Sequence, residues 1–240
     1  MDIRKNTDPL ETAFLDYFNG NEQAEIIIHS NKSDVEKVTV SYFFREFERM
    51  PLLEQKALAF CSGKILDVGA GSGSHSLFLQ ERGENITALE IKSGLIDIMQ
   101  KRGIRQIVNS DIFKYNSLKY DSLLMLMNGI GFTGDFKGLE KFLQHAKSLL
   151  NPGGQIILDS SDLLYLYEEE DGSYLINLNE EYYGELEYQF EYQGVKGERF
   201  KWLFIDFNSL LQFALQSGFD CEMVYEDEHF NYLAVLSLIS

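Results

Sequence analysis

The stretch best suited to chemistry is Ile65-Leu-Asp-Val-Gly-Ala-Gly-Ser-Gly73, an apolar strand that runs into a glycine-rich turn. Gly69 and Gly71, with Ala70 between them, let the backbone approach a ligand closely. A helix opening behind Gly73 offers free N–H groups to an anionic group. A nucleotide-like ligand is expected there, although such a turn also serves plain tight packing. A dinucleotide fingerprint reads Gly-x-Gly-x-x-Gly, whereas here the glycines fall at 69, 71 and 73 and Ser74 takes the next place. That spacing speaks against a nicotinamide-dependent oxidoreductase. Asp67, before the glycines, either orients the turn through hydrogen bonds or touches the ligand. His75, just inside the helix, is a candidate base or a packing histidine.

The Asp-x-Gly-x-Gly-x-Gly turn over Asp67 to Gly73 resembles motif I of the class I S-adenosylmethionine-dependent methyltransferases. Glu90 follows Gly69 by 21 residues at the end of the next strand. A carboxylate placed there takes both ribose hydroxyls through its two oxygens, the role the resemblance implies for it. Asp111, in Asn109-Ser-Asp-Ile-Phe, matches the acid that the family sets beside the adenine amino group, with Ile91 and Ile112 flanking the ring. Met127-Asn-Gly-Ile-Gly-Phe132 occupies the place where amino-methylating enzymes of nucleic acid carry Asp/Asn-Pro-Pro-aromatic, but no proline follows Asn128. Asn128 and Gly129 are still expected at the carboxyl end of the sheet, near the methyl donor. The segments Phe43-Phe-Arg-Glu-Phe-Glu-Arg-Met-Pro-Leu-Leu-Glu and Gly197-Glu-Arg-Phe-Lys-Trp-Leu are similar to an uncharacterised bacterial branch of the same superfamily, so the likeness spans nearly the whole chain.

The resemblance implies S-adenosylmethionine as cofactor and transfer of its methyl group to an N, O, S or C nucleophile. Alignment, desolvation and removal of the acceptor proton suffice for such a transfer, with no metal. Asp159, Asp162 and His75 are the groups to test as base. Tyr42, Phe44, Arg45 and Trp202 are candidates to line the acceptor pocket, or else pack the cap on the core. Arg45 also suits pairing with a carboxylate of donor or acceptor. A protein that binds S-adenosylmethionine or its demethylated product without turnover is the competing reading.

The elements that must position these residues show in the hydropathy pattern. From Lys64 onward short apolar runs alternate with amphipathic segments, the pattern of βαβ units building a parallel sheet. Strands are expected at Lys64 to Val68, Asn85 to Glu90, Arg105 to Val108, Tyr120 to Met127 and Gln155 to Asp159, the last entered through a turn at Asn151-Pro-Gly-Gly154. Residues 181–192 alternate apolar and polar, and a turn at Val195-Lys-Gly197 leads to a partner strand around Arg199 to Phe204. A helix over Asp206 to Gln216 and strands at Phe219 to Tyr225 and Asn231 to Leu238 close the chain. The expected architecture is α/β: a Rossmann-like, doubly wound, seven-stranded sheet with its last strand antiparallel. Residues 1–62 form an N-terminal helical cap, with helices at Asp8 to Phe18 and Tyr42 to Phe60 (restarted at Pro51) and a hairpin from Glu25 to Val40. Residues 63–240 form the core, with a β-hairpin insertion of about 163–204 after strand five that covers the acceptor site.

The chain has 240 residues, 38 Asp and Glu against 21 Lys and Arg, and a net charge of -17. That charge repels phosphate backbones, so nucleic acid is not an expected partner and a small-molecule acceptor is. The acids gather at 168–171, 180–191 and 222–228, as a solvated surface does. Cys61 and Cys221 stand far apart, which suits packing roles in a reducing compartment. The first eight residues carry no apolar run, and the longest uncharged run, Ser122 to Gly134, is roughly 13 residues against the ~20 that span a bilayer. A cytoplasmic protein without membrane contact is expected.

Overall fold

The computed structural model describes residues 8–169, 171–177 and 181–239. The charged start before Asp8, and Glu170 and Glu180 of the acidic clusters, lie outside the described residues. The chain divides into two compact units.

The first unit comprises the described part of Met1–Met50, with Leu66–Tyr115 and Glu187–Phe200. Helix α1 (Pro9–Phe18) starts where Asp8 accepts the Glu11 N–H at 3.0 Å and Pro9 takes the first helical position. Strands β1 (Glu25–Ser30) and β2 (Glu36–Thr39) form the expected hairpin. The stretch expected to be helical from Tyr42 instead folds as two short 3-10 helices, Val40–Phe44 and Phe47–Arg49. Arg45 and Glu46 are extended between the two, and Pro51 ends the second by forcing Met50 into an extended conformation with ψ 146°. Ala13, Phe14, Ile26, Val40, Leu95 and Ile98 are buried together as this unit's core.

Strand β3 (Lys64–Val68) contributes its last three residues to the first unit. Helix α3 (Ser74–Glu81), strand β4 (Asn85–Glu90), helix α4 (Ser93–Lys101) and strand β5 (Ile107–Asn109) follow, with β4 and β5 parallel.

The second unit comprises Pro51–Ile65, the described part of Asn116–Leu186, and Lys201–Ser240 as far as residue 239. It holds helix α2 (Leu52–Phe60), strand β6 (Tyr120–Met125), helix α5 (Phe136–Leu149) and strand β7 (Leu150–Ser161). After the insertion strands β8 (Glu185–Tyr192) and β9 (Val195–Leu203) come helix α6 (Phe207–Gln216) and strands β10 (Phe219–Glu226) and β11 (Asn231–Leu238). Strand β7 begins five residues before its expected start, absorbing Pro152 and a left-handed Gly153 (φ 73°) into an irregular first stretch beside β6. Leu123, Leu124, Ile156, Ile157, Leu158, Leu233 and Ala234 are fully buried, as strands covered on both faces require.

The seven-stranded sheet has the order β10–β11–β7–β6–β3–β4–β5, and β11 is antiparallel to both its neighbours. A second sheet, β2–β1–β8–β9, joins the N-terminal hairpin to the insertion hairpin, with His29 opposite Gln189. The turn of the insertion hairpin is Gln193-Gly194, both left-handed (φ 49° and 78°), and not Val195 to Gly197. Paired positive φ values suit the right-handed twist of a two-residue hairpin. Gly197 lies within β9, where a Cβ would come within 3.0 Å of Pro9 Cδ, so close packing explains that glycine.

Candidate functional site

In the first unit β3 delivers the chain into the glycine turn, and Gly69, Gly71 and Gly73 all have left-handed φ, at 73°, 59° and 81°. The Gly69 and Ala70 N–H groups donate to the Leu89 carbonyl at 2.9 and 3.0 Å, which seats the turn beside the end of β4. A Cβ on Gly69 would meet nothing within 4 Å, and one on Gly71 only the Gly69 carbonyl at 3.9 Å. Those two glycines therefore front open space. Gly73 differs, since a Cβ there would strike Ile104 Cδ1 at 2.2 Å, so its bareness serves packing.

Glu90 ends β4 and is buried. Its Oε2 accepts the Gly71 N–H at 3.0 Å, and its Oε1 accepts those of Ile91 and Lys92 at 2.7 and 3.0 Å. A carboxylate offers about four acceptor positions, so these bonds leave one, on the Oε2 that accepts the Gly71 N–H. Asp67 is buried in β3 and accepts the Ser76 hydroxyl on Oδ2 at 2.7 Å. Burial pushes its carboxyl above the usual range, opposed by His75 and the Ser76 bond and reinforced by Glu90. His75 is buried in α3 near it.

Asp111 follows β5, where its Oδ1 accepts the Phe113 N–H at 2.9 Å and its Oδ2 lies 3.8 Å from Lys114 Nζ. Ile112 is buried, whereas Ile91 is 62% exposed. Asn109, absent from the expected site, donates from Nδ2 to the Glu90 and Ile91 carbonyls, both at 3.0 Å, and steadies the end of β4. In the 3-10 segment, Tyr42 is exposed and the Arg45 guanidinium lies 3.4 Å from its ring centroid. Phe44 packs against Phe14, Tyr17 and Phe18 of α1.

The second unit holds the remaining candidates. Met127 and Asn128 both have left-handed φ, 61° and 52°. The Asn128 N–H donates to Asp159 Oδ1 at 3.0 Å, its Nδ2 to the Leu203 carbonyl at 3.0 Å, and its Oδ1 accepts the Ser160 hydroxyl at 2.9 Å. Both ends of that buried amide thus hold the chain together. Gly129 opens a 3-10 helix to Thr133. A Cβ on Gly131 would reach Trp202 Nε1 at 2.2 Å, which places the indole on this loop.

Asp162 Oδ1 accepts the Leu164 N–H at 2.9 Å and the Tyr183 hydroxyl at 2.8 Å, and Tyr182 donates to Asp206 Oδ2 at 2.6 Å. Burial raises both phenols, and bonding to the carboxylates adds to it, so both stay protonated donors. Nothing local in the sequence marks these tyrosines, because Asp162 and Asp206 reach them from distant positions. Among the described residues no three His, Cys, Asp or Glu side chains cluster as metal ligands. No helix among them is long and apolar enough to cross a membrane.

A model described as a methyltransferase domain matches residues 65–154, the stretch carrying the glycine turn, Glu90, Asp111 and Asn128. A solved S-adenosylmethionine-dependent methyltransferase from Bacteroides fragilis, in complex with S-adenosyl-L-homocysteine, is 38% identical, with 98% of this chain and 97% of that chain covered and a TM-score of 0.90. The CcbJ methyltransferase from Streptomyces caelestis is 14% identical over 81% of this chain and 95% of its own, with a TM-score of 0.62. The amino pentose methyltransferase CalS10 from Micromonospora echinaspora is 14% identical over 79% and 92%, with a TM-score of 0.54. At those identities the last two share the fold alone. No curated protein sequence matches the chain.

Proposed function

Since this chain belongs to the S-adenosylmethionine-dependent methyltransferases, we propose that it methylates a small molecule, with the residues of the glycine turn and of the ends of β4 and β5 holding the cofactor. One observation carries the assignment of the cofactor site: the buried Glu90 closes the turn through Gly71 and keeps an acceptor position on Oε2 beside two glycines that front open space. In this proposal that position takes a ribose hydroxyl, the Gly69–Gly71 backbone admits the methionine portion, and Asp111 with Ile91 and Ile112 meets the adenine. Asp67 acts through the turn and not through the ligand, as its bond to Ser76 supports. Asn128 and Gly129 contribute backbone, the Asn128 amide being committed to Leu203 and Ser160.

S-adenosylmethionine, when bound, supplies an electrophilic sulfonium methyl group. The chain's own task is to align an acceptor, exclude water and take its proton. We assign the proton to Asp159 or Asp162, at the carboxyl end of β7, with His75 as the third group to test. The cap of residues 1–62 and the insertion of about 163–204 are proposed to cover the acceptor, with Tyr42, Arg45 and Trp202 toward it and Phe44 as support. The pairing of β1 with β8 favours their acting as one cover. The acidic surface favours a small molecule over nucleic acid, and a cytoplasmic location suits both cofactor and free cysteines.

Calorimetric titration with S-adenosylmethionine, S-adenosylhomocysteine and NAD tests the cofactor site. Wild type is expected to bind the first two at micromolar affinity, and Glu90→Ala to lose tenfold or more, about 1.4 kcal/mol. Binding of NAD alone would overturn the assignment. An acceptor screen that follows formation of S-adenosylhomocysteine then tests turnover, and tight binding without any turnover across amines, alcohols and thiols would favour a binding protein.

A further inference from the structure

Arg102, the residue after α4, makes contacts that none of the candidate site residues explains. Its Nη1 lies 2.7 Å from the Ser72 carbonyl, 3.1 Å from the Ser72 hydroxyl and 3.2 Å from the Ser74 hydroxyl. Both hydroxyls in turn donate to one acceptor, the Phe43 carbonyl, at 3.0 Å from Ser74 and still closer from Ser72. The guanidinium carbon is 5.2 Å from the Phe44 ring centroid, within cation–π range. A single cation therefore holds the glycine turn, the first residue of α3 and the 3-10 segment that carries Tyr42 and Arg45.

The opposite end of α4 is tied in the same way. The Lys92 N–H donates to Glu90 Oε1, the Lys92 ammonium pairs with Asp8, and the Gly94 N–H donates to Glu11 Oε1 of α1 at 3.0 Å. A Cβ on Gly94 would meet that carboxylate at 2.5 Å, so the approach of α1 to α4 is close. Helix α4 thus joins Glu90 and α1 at its start, and the turn and the Phe43 segment at its end. Ser72 directly follows Gly71, whose N–H is held by the Glu90 oxygen proposed for ribose. Any adjustment of the Gly71–Ser72 peptide on ligand binding is felt at the Ser72 carbonyl, which Arg102 grips.

We propose that Arg102 is a positioning residue that couples cofactor occupancy of the glycine turn to order in the Val40–Arg45 segment of the cap. The coupling deepens the methyltransferase reading and rests on it. It would make the acceptor-side segment firmer when the cofactor turn is filled, an ordering of one site by the ligand of another.

The test combines calorimetry with S-adenosylhomocysteine and hydrogen exchange of the amides at 40–45, on wild type, Arg102→Met and Arg102→Lys. In wild type the ligand is expected to slow exchange at 40–45. Arg102→Met keeps the apolar stem and is expected to bind tenfold or more weakly, about 1.4 kcal/mol, with the melting temperature lowered and the ligand-induced protection of 40–45 lost. A lysine ammonium has three donors to offer the same three oxygens, so Arg102→Lys is expected to restore most of the affinity and the protection. Wild-type affinity and protection in Arg102→Met would overturn the proposal while leaving the methyltransferase reading standing. Failure of wild type to bind would overturn both. If Arg102→Met does not fold, Ser74→Ala, which removes a hydroxyl bonded to both Arg102 and Phe43, carries the test with the same expected loss of protection. Intact protection in that variant would overturn the proposal.

Discussion

The Glu90 carboxylate takes N–H groups from Gly71, Ile91 and Lys92, so the charge proposed to meet a ribose also closes the turn that admits the cofactor. Glu90→Ala therefore removes the proposed ligand contact and loosens the turn at once, and its effect is expected to read through both affinity and stability. Asp206 shows a residue acting through pH. Burial works to raise its carboxyl, but hydrogen bonds from Ser209, Tyr182 and the backbone outweigh burial and hold it below the usual range. A carboxyl depressed in the folded state stabilises it fully above the unfolded pKa of about 3.9, and that contribution is lost as pH falls through the folded value. The melting temperature of Asp206→Asn is expected to lie below wild type at neutral pH, and the gap to close below about pH 3.9. A gap independent of pH, measured by calorimetric melting across the acid range, would show that charge on Asp206 is not what stabilises.

At the scale of elements, the loop between β6 and α5 is shaped by what lies on it. Trp202, the single tryptophan of the chain, rests where a Gly131 side chain would be. Gly131→Ala is expected to displace the indole at a cost of about 1–3 kcal/mol, as overpacking does. A red-shifted emission maximum together with a lowered denaturation midpoint would report it, since no second indole contributes. The hydropathy pattern made legible that the glycine turn, Glu90 and Asp111 sit at or just after strand ends, and the resemblance supplied the roles proposed for them. Arg102 was not, because its oxygens lie 28 and 30 positions away, on a turn whose exit direction depends on the packing of α4. The pairing of β1 with β8 was equally hidden. Each hairpin shows its own alternation, but edge-to-edge choice between two amphipathic hairpins is made by the surfaces they share with α1.

For the whole molecule the net charge of -17 is the dominant long-range term. Self-repulsion of that size opposes the compact state, and screening relieves it. Raising sodium chloride from about 0.01 M to about 0.1 M shortens the Debye length from about 30 Å to about 10 Å, so the melting temperature is expected to rise over that interval. A melting temperature that stays flat or falls would mean that favourable ion pairs, such as Lys92 with Asp8 and Arg199 with Glu187, outweigh the repulsion.

By itself the sequence determined the α/β class, the order of strands in the seven-stranded sheet's half of the chain, the closing hairpin and, through its resemblance, the family, but not the 3-10 helices that replace the helix expected from Tyr42. The elements follow from local periodicity, and the family from the resemblance of the Asp67 to Gly73 turn, Glu90 and Asp111 to its motifs. Only the tertiary structure decided that the Asn128 amide is spent on Leu203 and Ser160, that Phe44 belongs to the α1 core, and that Asp162 is bonded by Tyr183. It alone decided that α4 ties Glu90 and the turn to the cap. The reason is physical: a side chain's partners across many tens of residues are set by how layers pack and which donors burial leaves to be satisfied, and no period in the chain encodes that.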